Sequence, residues 1–240
     1  MHPDEHIAPP SLELFDRLWQ AARGQVRVMT LAPEMEGALE LIAEAARRGV
    51  CVSLGHSNAE LGPTRAAIAA GARHATHTFN AMRPLDHRDP GIVGAALADA
   101  RLTADIIADG VHVAPAVVEL FLRAKGPDAA VLITDAISAT GMTDGAYRLG
   151  EFTVEVRGDR CLSSEGRLAG SVLTMDRAVR NVMQFAGWEL GPAARLASLN
   201  PARVLHLEAK GRLAPGADAD IVVLTPRGEV VRTIVRGRGI

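Results

Sequence analysis

The sequence predicts an α/β protein: strands and helices alternate to build part of a parallel β/α barrel, and a small β portion follows. Three observations predict it. Short apolar runs such as Val50-Cys51-Val52-Ser53-Leu54 and Val131-Leu132-Ile133 alternate with helical segments as far as Gly141, and such alternation implies parallel βαβ units. Several of these runs end in a polar motif: Gly55-His56-Ser57-Asn58, Thr76-His77-Thr78-Phe79-Asn80-Ala81-Met82, Asp109-Gly110-Val111-His112 and Thr134-Asp135-Ala136. The C-terminal ends of successive parallel strands converge on one pocket in a β/α barrel. Beyond Gly141 the period changes to two, as in Phe152-Thr153-Val154-Glu155-Val156, the spacing of a half-buried strand.

The elements follow in order. Met1 to Pro10 reads as an extended lead-in. Ser11 to Ala22 is a predicted helix, because Leu12, Phe15, Leu18 and Trp19 share a face and Ser11 can cap it. Gln25 to Leu31 reads as a strand, Gly37 to Arg48 as a helix stopped by Gly49, and Val50 to Leu54 as the next strand. Leu61 to Ala70 is an Ala-rich helix, His74 to His77 a very short strand, and Arg83 to Gly91 a loop. Leu97 to Ile107 covers a strand and its approach. Pro115 to Ala124 is a helix with Pro at a favoured early position. Ala129 to Thr134 is the fifth strand. A closed barrel has eight, so the sequence predicts an incomplete barrel, or one lacking the beginning of a longer chain.

The remainder divides differently. Phe152 to Val156 and Leu162 to Ala169 read as hairpin arms, with Gly158-Asp159 as a turn signal. Helices return at Val172 to Ala186 and Pro192 to Leu199, with Ser171 read as a helix N-cap. Ile221 to Leu224 and Val230 to Val235 are strands of a small β layer. The predicted organisation is an incomplete barrel over 1–199, with a β-hairpin insertion near 146–168, and a C-terminal β segment of a small sandwich over 200–240.

Composition excludes several functions. The formal charge is -2 and aromatic residues make up 3% of the 240 residues. Neither a basic surface for nucleic acid or membrane nor a base-stacking platform is expected. No apolar stretch is long and unbroken enough to span a bilayer, and no charged n-region precedes an apolar one. The expectation is a soluble cytoplasmic protein with no nucleic-acid or membrane partner. Cys51 and Cys161 read as reduced thiols. What remains is a small-molecule enzyme. Two imidazoles, a third His and a carboxylate at strand ends point to a metal-dependent hydrolase.

Further motifs narrow this. Thr30-Leu31-Ala32-Pro33-Glu34, Arg88-Asp89-Pro90-Gly91, Leu168-Ala169-Gly170-Ser171 and Asn200-Pro201-Ala202 join those above, and Gly211 to Asp220 follows. Together, in this order, they resemble the amidohydrolase superfamily and, more narrowly, its N-acetylglucosamine-6-phosphate deacetylases, from about Val28 onward. The resemblance implies a TIM-type β/α barrel and a divalent metal ion, zinc first and iron second. It implies hydrolysis of an amino-sugar phosphate in amino-sugar catabolism, by a homodimer. The chain departs from the family at its start. The family's opening β-sandwich strands, its first barrel strands and a metal-binding Glu in a Leu-Glu-Gly-Pro motif are not in this sequence. His2 falls near a substrate-side His of the family.

The resemblance assigns roles residue by residue. His56 and His77 are metal ligands, against the structural alternative of hydrogen-bonded imidazoles at a barrel mouth. Glu34 is either a substitute third ligand or a structural carboxylate. Asp135 is the general base and acid, or else a cap of the following loop. His112 polarises the amide carbonyl and contacts substrate, or only supports the fold. Asp109 holds its turn. Asn80, Ala81 and Arg88 bind the sugar phosphate, and in the family the matching Arg reaches in from the other subunit. Leu168 and Ala169 border the substrate. Two alternatives stay open: a truncated, non-catalytic fragment or sugar-phosphate-binding subunit, and an amidohydrolase for another N-acyl substrate.

Overall fold

The computed structural model describes residues 7–239. The chain divides into two compact units, Met1–Asp105 and Ile106–Ile240.

In the first unit, helix α1 (Leu12–Ala21) starts where Ser11 Oγ accepts the Leu14 N–H at 3.2 Å. Capping of this kind satisfies one of the four orphan N–H groups of a helix start. The helix buries Phe15, and the Arg48 guanidinium lies 5.1 Å from that ring's centroid. There follow β1 (Val28–Leu31), α2 (Ala38–Arg47), β2 (Cys51–Leu54), α3 (Leu61–Ala70), β3 (His74–Ala75), α4 (Gly91–Ala98) and β4 (Thr103–Ile106). The strands pair in parallel, with Leu31 opposite Leu54, Leu54 opposite Ala75, and Ala75 opposite Ala104. Every residue of β2 is buried. A parallel strand covered on both faces reads as an unbroken apolar run, which is why Val50 to Leu54 is legible as a strand. The core is built on Ile42, Val52, Leu54, Ile68, Ile92 and Leu102.

Two elements differ from expectation. The strand predicted over His74 to His77 stops at Ala75, because His77 leaves extended backbone at φ 31°. Helix α4 falls across the predicted loop end and strand approach. Its residues, Gly91-Ile92-Val93-Gly94-Ala95-Ala96-Leu97-Ala98, carry no polar face, and five of the eight are buried. A helix apolar all round shows no 3.6-residue stripe.

The second unit opens on Ile106, the last residue of β4, whose carbonyl accepts the Ile133 N–H. Ile133 directly follows β5 (Ala130–Leu132). Helix α5 (Pro115–Ala129) precedes β5 and breaks at Gly126, before Pro127. An antiparallel sheet of β6 (Gly145–Leu149), β7 (Phe152–Arg157) and β8 (Arg160–Ser163) packs Val154, Val156 and Cys161 against Ala139. Of the predicted arm Leu162 to Ala169, only Leu162 and Ser163 are strand. The arm turns at Gly166 and returns through a single bridge from Leu168 to Leu162.

Three helices follow, α6 (Met175–Ala186), α7 (Leu190–Leu196) and α8 (Leu199–Val204). Thr174, not Ser171, stands at the N-cap of α6. The helix predicted over Pro192 to Leu199 is two short ones, interrupted at Ala197-Ser198. The last sheet, in order β11-β10-β9, is antiparallel, with β9 (Ile221–Leu224), β10 (Val230–Val235) and β11 (Arg238–Gly239). Both cysteines are free and buried, and burial pushes the Cys51 thiol up to about 11. No described helix is long and apolar enough to cross a membrane.

Candidate functional site

The first unit builds an imidazole pair. His56 follows β2 and His77 follows β3, and these strands are neighbours. Between strand and imidazole stands Gly55, where an added Cβ would lie 2.9 Å from Thr76 Cβ and 3.3 Å from Thr30 Cγ2. Only a residue without a side chain lets the two strand ends approach this closely. His56 Nε2 and His77 Nε2 then lie 2.8 Å apart, with the rings edge-on at 71°.

The backbone there is strained. Eight described residues other than glycine have φ in the left-handed region, and five sit in the strand-end motifs: His56, His77, Phe79, Ala81 and Asp135. Such conformations cost about 1–3 kcal/mol each and persist where surrounding structure over-determines them. Here the determinants are visible. Ala81 O accepts the Ser57 N–H at 3.0 Å, and Ser57 O accepts the Arg83 N–H at 2.9 Å. Glu34 accepts from Ser57 Oγ and from the Asn58 N–H, both at 2.7 Å. Both Glu34 oxygens are thus spent on the loop that carries His56, which favours the structural alternative for this carboxylate. Residues 56–58 and 81–84 line a cleft of about 360 Å³.

A divalent cation fits this pair on chemical grounds. Two imidazole nitrogens meeting tip to tip need a proton or a cation between them, and neutral imidazole is a common ligand of zinc. Among the described residues no group of three or more His, Cys, Asp or Glu is placed to hold a metal. The pair would therefore supply two ligands at most.

Sequence reasoning missed the support beneath His77. Asp105 in β4 is buried, and its Oδ1 accepts the main-chain N–H of His77. Its Oδ2 lies 3.0 Å from Nε2 of the buried His74, whose Nδ1 lies 2.7 Å from Thr103 Oγ1. The signal was present: a carboxylate in the apolar run Thr103-Ala104-Asp105-Ile106-Ile107 has to find partners when buried.

The second unit holds His112 and Asp135. Asp109 Oδ1 accepts the N–H groups of Val111 and His112, both at 2.8 Å, and Oδ2 lies 2.6 Å from His112 Nδ1. The turn-holding role expected of Asp109 is what these bonds describe. Burial alone would raise the Asp109 carboxyl. The His112 ring and the two N–H groups outweigh it and hold the group below the usual carboxylate range. With Nδ1 engaged, His112 keeps Nε2 for a further contact.

Asp135 is exposed and sits at φ 50°. Its carbonyl accepts the Ser171 N–H at 2.8 Å, Ser171 Oγ donates to Thr134 O, and Ser171 Oγ accepts the Leu173 N–H. Ser171 is thus a clamp on the Thr134-Asp135-Ala136 segment rather than a cap. Before it, Gly170 has φ 67°, and a Cβ there would lie 2.5 Å from Ile137 Cγ2 and 3.1 Å from Asp135 O. Ala169 packs against the β7–β8 cluster and Leu168 is partly exposed.

Of the phosphate candidates, Asn80 closes a tight turn onto His77 O, through its N–H at 2.9 Å and its side-chain amide at 3.3 Å. Arg88 is exposed, and its side chain does not line the cleft. Arg83 does, and Asp89 Oδ2 accepts from it at 2.6 Å. His2 and His6 lie outside the described residues.

A sequence model of the amidohydrolase family matches residues 13–240. The N-acetylglucosamine-6-phosphate deacetylase of Bacillus subtilis is 40% identical over 236 residues, 98% of this chain and 60% of the relative. The human protein of that name is 43% identical over 247 residues, again 98% and 60%. An N-acetylgalactosamine-6-phosphate deacetylase of Escherichia coli O157:H7 is 41% identical, covering 99% and 63%. Among solved structures, a variant of the Mycobacterium smegmatis N-acetyl-D-glucosamine-6-phosphate deacetylase in complex with N-acetyl-D-glucosamine-6-phosphate superposes with a TM-score of 0.95 at 42% identity. That match covers 99% of this chain and 64% of the other. The chain thus spans about 60% of the length of the curated relatives it matches.

Proposed function

The chain belongs to the amidohydrolase family, and from that premise we propose that it hydrolyses the N-acetyl group of N-acetylglucosamine 6-phosphate, giving glucosamine 6-phosphate and acetate. The observation that carries the proposal is the meeting of His56 and His77 through Nε2 at 2.8 Å on two strained strand-end loops. Relatives about 40% identical that bear this deacetylase name support the substrate.

His56 and His77 would hold a divalent ion, with zinc first on ligand chemistry and iron second. Once bound, such an ion polarises a carbonyl oxygen and acidifies water. The chain's own groups do the rest. His112, its ring fixed by Asp109, donates from Nε2 to the acetyl carbonyl oxygen as negative charge develops there. Asp135 takes a proton from the attacking water and returns it to the nitrogen as the C–N bond breaks, so acetate and a free amine leave. Only interactions stronger in the tetrahedral transition state than in the ground state accelerate this step.

Asn80 and Ala81 bind the phosphate. Arg88, exposed on its own chain, completes that site from the partner in a homodimer. Leu168 and Ala169 border the sugar. All these residues lie in the 1–199 portion, and 200–240 is proposed as the separate small β segment. A cytoplasmic location accords with a phosphorylated substrate.

Acetate release by the purified chain, loaded with zinc or iron, tests the proposal. N-acetylglucosamine 6-phosphate should be turned over, and the unphosphorylated sugar much more slowly. N-acetylgalactosamine 6-phosphate belongs in the same assay, because a relative equally similar to the chain carries that name. No acetate from either phosphorylated sugar would overturn the proposal.

A further inference from the structure

A histidine that binds a metal is normally aimed by a hydrogen bond at its other ring nitrogen, which donates to a carboxylate, a carbonyl or a water. No described residue supplies that bond to His77. Its Nδ1 is buried and has no hydrogen-bond partner among the described residues. Something else must hold the ring toward His56, since a residue at φ 31° is in a sparsely populated conformation that relaxes when released.

The candidate lies beneath the main chain. Asp105 accepts the His77 N–H through Oδ1, while Oδ2 is tied to His74 Nε2 at 3.0 Å and His74 Nδ1 to Thr103 Oγ1 at 2.7 Å. Thr103 Oγ1 in turn lies 3.1 Å from the Arg73 carbonyl oxygen. Asp105 and His74 are each less than a tenth exposed. Register makes this possible: β3 and β4 pair in parallel with His74 opposite Thr103, so the carboxylate two residues on in β4 reaches past the end of β3 to the first strained residue. A buried carboxylate whose oxygens are each committed is far costlier to turn than an exposed one.

We propose that Asp105, braced by His74, is the positioning residue of the metal site: it fixes the ligand His77 through its main chain rather than through its ring. The inference rests on the reading of His56 and His77 as metal ligands. It predicts that an acceptor at position 105, rather than a charge, is what the site requires.

The test is zinc affinity of the full chain, by competition with a chromophoric chelator, for four proteins. These are the parent, Asp105→Asn, Asp105→Ala, and the double variant Asp105→Leu/His74→Leu. The double variant removes both partners of the Asp105–His74 pair together, and Thr103 Oγ1 keeps the Arg73 carbonyl, so the one buried group left without its acceptor is the His77 N–H under test, and the fold is expected to survive. Asp105→Asn keeps an oxygen for the His77 N–H and should hold affinity within about threefold. Asp105→Ala and the double variant should lose about 10–100-fold, the range seen when the support of a ligand is removed.

A second readout needs no metal. The His77 amide should lose hydrogen-exchange protection in the Ala and double variants and keep it in the Asn variant. Parent-like affinity and protection in the double variant would overturn the inference while leaving the ligand pair standing. A parent chain that binds no zinc would overturn the ligand reading. A loss in Asp105→Asn equal to that in the double variant would show that charge, not the main-chain grip, matters, and would also refute the inference.

Discussion

Replacing Asp109 by Ala is the sharpest single perturbation in the second unit. The carboxylate is 8% exposed and accepts three hydrogen bonds, two from main-chain N–H groups and one from the His112 ring. Truncation leaves all three donors without an acceptor. An orphaned buried donor costs about 1–3 kcal/mol, and breaking one side of a buried hydrogen-bonded pair costs about 3–5 kcal/mol in total once relaxation is included. At about 2–4 °C per kcal/mol for a chain of this size, the midpoint should fall by about 6–20 °C. Asp109→Asn keeps one oxygen for the two N–H groups and should lose only about 1–2 kcal/mol.

The same residue sets a pH dependence. Its folded carboxyl titrates below the ordinary 3.8, so the unfolded chain holds the proton more tightly. The ionised group therefore contributes stability that is complete above about pH 5 and is lost as pH falls through the depressed folded value. Urea unfolding followed by circular dichroism, at pH 7 and at pH 3, measures both effects. A loss under about 1 kcal/mol in Asp109→Ala at pH 7, or a parent–variant difference that does not shrink in acid, would refute the account of this turn.

Other outcomes follow from the clamp and the loops. Gly170→Ala should destabilise by about 2–4 kcal/mol in the same unfolding assay, because it adds a left-handed penalty to a Cβ placed 2.5 Å from Ile137 Cγ2. Ser171→Ala should cost about 1–3 kcal/mol, since Thr134 O and the Leu173 N–H both lose their partner. Arg88→Ala, at an exposed side chain, should leave stability within about 0.5 kcal/mol. It should also raise KM for the phosphorylated sugar at least about tenfold, and equal effects on phosphorylated and unphosphorylated sugars would contradict its phosphate role. Asp135→Asn should abolish acetate release with metal content unchanged, and a large loss of metal would make Asp135 a ligand first.

The strand ends were legible because polar residues that terminate buried strands have few reasons to be there other than chemistry. Gly55-His56 and Thr76-His77 could therefore be placed at one rim, and the structure brings those two rings together. Less visible was the framework that holds them. Helix α4 has no polar face to betray it. Glu34 and Asp105 act on main-chain N–H groups, contacts that depend on register and leave no trace in spacing. Ser171 looked like a cap because Ser often is one, and a bridge to Ala136, far back in the chain, claimed it instead. The left-handed backbone at His56, His77 and Asp135 is invisible in a sequence that places no glycine there.

The most direct test of the central claim is anomalous scattering at the zinc edge from crystals of the zinc-loaded chain. One ion should lie within about 2.0–2.1 Å of Nε2 of both His56 and His77, and it should vanish in His77→Ala. Zinc bound elsewhere with these two rings uncoordinated, or undiminished in His77→Ala, would contradict it.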